Sequence, residues 1–89
     1  MPKLAKVSRT LRRKIIERAM NQWEKRCQEK GDQIYHSRHE GIGVLEEELL
    51  ELKEAIRKKG TEEMEAEAMD CIVPLLHLLA SIDTGGMKW

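Results

Sequence analysis

The chain is poor in aromatic side chains: among 89 residues there is no Phe, one Tyr and two Trp. A core must therefore be built from Leu, Ile, Val, Met and Ala. So small an aliphatic core is marginal alone, and oligomerisation is the expected remedy. Cysteine is scarce too. Cys27 and Cys71 lie far apart, in no metal-like spacing, and read as reduced, buried thiols of a cytosolic protein. Long hydrophobic runs are missing. The longest, from Cys71 to Ile82, is interrupted by Pro74 and His77 and is too short to span a bilayer. The N-terminus has no apolar stretch of signal-peptide length. A soluble, cytoplasmic protein of one small domain is expected.

Net charge is zero, but it is unevenly spread. Residues 1–30 carry ten Lys/Arg against three Glu, a balance of +7, and residues 31–89 carry six against thirteen Asp/Glu, a balance of −7. The two parts can pair with each other, or the basic third can face an anionic ligand.

Hydrophobic spacing predicts an all-α chain of three helices. After a loose basic lead-in, residues 1–7, the first helix runs from Ser8 or Thr10 to Lys30 and stops at Gly31. Leu11, Ile15, Ala19, Trp23 and Cys27 form its apolar stripe. Ser37 and Glu40 fit a capping box for a second helix ending at Lys59, before Gly60. Its stripe is Ile42, Leu45, Leu49, Leu52 and Ile56. Thr61 is the expected N-cap of a third helix reaching about Ile82. Its second half is apolar nearly all round, so a central position or a subunit interface is expected. Pro74 predicts a kink that frees the carbonyl of Asp70. Residues 8–83 thus form one helical domain, and residues 84–89 a tail. No repeat, linker or strand is evident.

Two acidic pairs carry the chemistry. Residues three apart share a helix face, so Glu48 with Glu51, and Glu67 with Asp70, each form a two-carboxylate claw. With Leu45 at zero, Glu48 falls at about −60° and Glu51 at about −120°. Glu48 is on the shoulder of the buried face, and Glu51 is just outside it. Either the claws are ordinary charged faces, the default for any single Glu, or they meet on facing helices. In the second case they would repel unless a hard cation held them. There is no Glu-x-x-His, as a di-iron bundle would need. An all-oxygen set favours magnesium, with manganese as the alternative. Magnesium in turn suggests phosphate chemistry.

The residues Leu45 to Ile56 (LEEELLELKEAI), a Gly-containing turn and Glu67 to Asp70 resemble the MazG-like all-α nucleotide pyrophosphohydrolases, small phage-type members in particular. The likeness covers residues 9–82. It rests on Glu-Glu-x-x-Glu on one helix and Glu-x-x-Asp on the next. It implies hydrolysis of ribo- or deoxyribonucleoside triphosphates to monophosphate and pyrophosphate. By the same resemblance Glu48, Glu51, Glu67 and Asp70 are the magnesium ligands, and Glu47 is a further ligand or orients the attacking water. The family core is a four-helix arrangement, so a three-helix chain is expected to complete its bundle as a homodimer or tetramer.

Other residues have two readings. Trp23 is either a core side chain or stacks on a base beside the metal. His39 is either a surface or capping residue or, like Arg38, a substrate contact; Arg38 can bind phosphate at the helix N-terminus. The basic face of the first helix is solvated, or reaches triphosphate oxygens. Two competing functions remain: a non-catalytic helical homo-oligomer serving as an interaction module, and, ranked last, a nucleic-acid binder through residues 3–30, which have little aromatic interleaving and no recognisable DNA-binding motif.

Overall fold

The computed structural model describes residues 4–58 and 60–88. Three α-helices follow in order: α1 (Arg9–Lys30), α2 (Arg38–Lys58) and α3 (Thr61–Thr84). Among the described residues there is no strand, only one isolated bridge.

The helix ends have local causes. Ser8 caps α1, its Oγ accepting from the Leu11 N–H at 3.1 Å. Gly31, at φ 93°, stops it and donates to the Cys27 carbonyl at 2.8 Å. The Ser37 Oγ accepts from the Glu40 N–H at 3.2 Å. The returning Glu40 carboxylate accepts from the N–H of His36, not Ser37, at 2.6 Å, which draws the chain before the helix inward. The predicted end of α2 at Lys59 falls outside the described residues.

Two expectations for α3 need correction. Thr61 is its first helical residue, not its cap. Gly60 takes the N-cap position with no side-chain bond, and Glu62 and Glu63 in the first turn complement the helix dipole instead. The helix also continues past Ile82 to Thr84, where Gly85 at φ 75° ends it. Pro74 is buried within this one continuous helix. The segment predicted as a tail is held at Lys88. The Lys88 N–H donates to the His36 carbonyl at 2.8 Å, and the Arg38 N–H to that of Lys88 at 3.2 Å, pinning the C-terminal segment to the α1–α2 connector.

Helix α3 is central. It packs against both α2 and α1, whose backbones do not approach each other closely among the described residues. Arg18 meets Glu65 and Trp23 meets His77, so α1 runs in the direction of α3. Gly41 lies against Leu78 and Glu48 against Asp70, so α2 runs opposite. At Gly41 a Cβ would stand 3.1 Å from Leu78 Cδ1 and 3.3 Å from the Tyr35 ring. The bare backbone there lets α2 come close.

The buried apolar core is small: Ala19, Ala55 and Val73. Ile42, Leu49 and Ile56, seven residues apart on α2, are 50%, 43% and 59% exposed. Leu75, Leu79 and Ile82 are open on α3. The radius of gyration is 15.2 Å, against about 12 Å for a compact domain of this length. The three helices form an open layer. No helix among the described residues is long and apolar enough to cross a membrane.

Candidate metal centre

The antiparallel α2–α3 pair brings three carboxylates to one point. One oxygen each from Glu48, Glu67 and Asp70 lie within 4.8 Å of one another. Glu48 comes from the shoulder of the α2 stripe. Glu67 and Asp70, three apart, share one face of α3.

Electrostatics reflect this crowding. The Glu48 carboxyl is pushed above the usual carboxylate range, first by burial and then by the charges of Glu51 and Asp70, with Arg26 opposing and Glu67 adding. Its Oε2 atom is buried and has no hydrogen-bond partner among the described residues. Buried acceptors are nearly always satisfied, so this one marks a place for a donor or cation. The neighbouring Cys71 thiol is pushed up by its own burial and then by Glu48, Asp70, Glu67 and Glu51. Both cysteines are free thiols.

One guanidinium offsets part of the negative charge. Arg26 Nη2 on α1 lies 3.5 Å from Asp70 Oδ1, with the two side chains only 24% and 26% exposed. The donor set is all carboxylate, and one of its oxygens lacks a partner. These residues fit a hard divalent cation.

The remaining sequence-predicted residues fall elsewhere. Glu51 is exposed and outside the three-carboxylate group; it acts on Glu48 through space. Glu47 is also exposed. Arg38 borders a shallow depression with Leu78, Ile82 and Met87, and His39 is exposed at the start of α2. Trp23 is half-buried and lines a cleft of about 570 Å³ between α1, the connector and α3. Glu48, Glu67 and Asp70 do not line this cleft, but Arg26 does, so Arg26 joins the two.

Sequence reasoning missed the cleft's other walls. His77 Nε2 meets the Gln33 carbonyl at 2.7 Å, and the Tyr35 ring packs edge-on to His77 at 4.8 Å. The Tyr35 N–H donates to Ser81 Oγ at 3.0 Å. Burial, then Glu40, pushes the Tyr35 phenol up. Among the described residues Trp23 and Tyr35 thus meet at one place, on the walls of this cleft. A signal for Arg26 exists in the sequence: it stands three residues after Trp23 and just before Cys27, at the edge of the apolar stripe.

No protein-family model, no curated protein and no solved structure matches this chain.

Proposed function

We propose that this chain is a divalent-cation-dependent nucleoside triphosphate pyrophosphohydrolase of the MazG-like kind. The observation that carries the reading is the convergence of Glu48, Glu67 and Asp70 from two helices, with a buried and unsatisfied oxygen on Glu48. In this reading these three carboxylates hold magnesium, or manganese in its place, and Glu51 joins from the rim.

Magnesium, when bound, supplies neutralisation of phosphate oxygens and so favours in-line attack. Glu47, exposed beside Glu48 on α2, orients the attacking water and takes its proton. Water adds to the α-phosphorus as the bond to the α–β bridging oxygen breaks, and that oxygen leaves with pyrophosphate. Trp23 offers the base a stacking surface in the cleft. Without a cation the carboxylates repel the triphosphate, so activity is strictly metal-dependent. Arg38 and His39 are not among the residues that line the cleft or form the carboxylate group, and this reading gives them no role.

A homo-oligomer, dimer or tetramer, in a cytoplasmic setting completes this reading. The exposed row Ile42, Leu49 and Ile56 supports it, because a second copy would cover what this chain leaves open. The same row favours the second reading, a non-catalytic interaction module. The test is pyrophosphate release from a panel of ribo- and deoxyribonucleoside triphosphates, with magnesium and with a chelator, for the wild type and Glu48→Gln. Magnesium-dependent release lost in the variant supports the enzyme. No release from any nucleotide by folded, oligomeric protein leaves the interaction module.

A further inference from the structure

We propose that Arg26 is an exchange residue: its guanidinium holds Asp70 in the absence of a divalent cation, and turns to a phosphate-bearing anion in the cleft when a cation takes its place. This rests on the reading of Glu48, Glu67 and Asp70 as a cation site.

Arg26 borders both places. It lies 3.5 Å from Asp70 and also lines the cleft with Trp23, Tyr35 and His77. At 3.5 Å the contact is longer than the roughly 2.7–2.9 Å of a close charge-assisted hydrogen bond. It neutralises without locking. Asp70 stands against this guanidinium, and its charge eases the burden on Glu48. A dication among the same carboxylates repels the guanidinium and competes for Asp70. A sheltered, unpaired guanidinium is costly, and the open space it already borders is the cleft. Lys30, one turn further along α1, lines that space too. An arginine fork suits phosphate oxygens bidentately. The cleft therefore gains a free cation when the carboxylates gain a metal, and cation and anion bind with positive coupling.

The experiment uses two probes, Mn2+ alone followed by electron paramagnetic resonance, and tripolyphosphate with saturating magnesium followed by calorimetry. Arg26→Ala is expected to bind Mn2+ roughly two- to fivefold more tightly, as loss of a partly exposed ion pair allows. It should bind magnesium tripolyphosphate on the order of tenfold more weakly, as loss of a charged hydrogen bond demands. Arg26→Lys should fall between. Unchanged or weaker Mn2+ binding in Arg26→Ala overturns the exchange while leaving the cation site intact. If the variants do not fold, wild-type protein decides. The Arg26 Nε–H resonance must shift on adding Mg2+ and shift again with tripolyphosphate; a resonance that ignores Mg2+ overturns the proposal. Absence of Mn2+ binding by the wild type overturns both this inference and the reading beneath it.

Discussion

The indole N–H of Trp23 donates to Nδ1 of His77 at 3.1 Å, and that bond fixes the state of the imidazole. Indole nitrogen is only a donor, so Nδ1 carries no proton. The Gln33 carbonyl, only an acceptor, stands 2.7 Å from Nε2, so Nε2 carries it. His77 is thus a neutral Nε2–H tautomer that ties α1, the connector and α3 into one wall of the cleft. Nitrogen-15 spectra should show this tautomer. Trp23→Phe, which loses the bond but keeps a ring, should cost about 1 kcal/mol in urea unfolding. Trp23→Ala should cost about 3 kcal/mol.

Glu48 makes stability depend on pH in an unusual sense. Its carboxyl is held above its unfolded value by burial and by neighbouring carboxylates. Between the unfolded and the raised folded value, the folded protein binds more protons at this group than the unfolded chain does. Its contribution is fully present below the ordinary carboxylate pKa and is lost as pH rises through the folded value. In chelator at neutral pH, Glu48→Gln should raise the melting temperature by roughly 2–5 °C. The gain should shrink as pH falls to the ordinary carboxylate range. A variant less stable than wild type at neutral pH would contradict this.

Two glycines of α2 should respond in opposite ways. At Gly43 an added Cβ meets nothing within 4 Å, so Gly43→Ala should stabilise by up to about 1 kcal/mol through helix propensity alone. At Gly41 the neighbours Leu78 and Tyr35 are already tight. Gly41→Val should destabilise by about 1–3 kcal/mol through overpacking. Thermal unfolding of the two variants checks the pair.

The open apolar row predicts association. Leu49 sits between Ile42 and Ile56 on α2 and is 43% exposed. Sedimentation should show a concentration-dependent homo-oligomer. Leu49→Glu should shift it toward monomer and lower its stability, because the buried core among the described residues is small, with Ala19, Ala55 and Val73 in it. A wild type that stays monomeric at high concentration would sink this expectation.

Much of this fold is readable along the chain, because helix ends are local events. Ser8, Gly31 and the Ser37–Glu40 pair act within a few residues of themselves. Thr61 misleads because its hydroxyl suits a cap, yet Gly60 is already extended at ψ 178° and takes that place. The meeting of Glu48 with Glu67 and Asp70 follows from helical angle and an antiparallel pair. Glu51, about 60° further round, stays on the rim for the same reason. Arg26, Tyr35 and Gln33 were not readable as one site. Their meeting depends on α1 running alongside α3 and on the path of residues 31–37, and neither leaves a periodic trace.

The most direct test of the central claim is a Mn2+ titration of wild-type protein and Glu48→Gln in the same buffer at neutral pH, followed by electron paramagnetic resonance. If the three carboxylates form a cation site, the wild type binds one Mn2+ per chain, and Mg2+ displaces it. The variant should then bind at least roughly tenfold more weakly, since even outer-shell changes at metal sites cost that much. Equal, weak and non-saturating binding by both proteins would mean that Glu48, Glu67 and Asp70 are only a crowded acidic face.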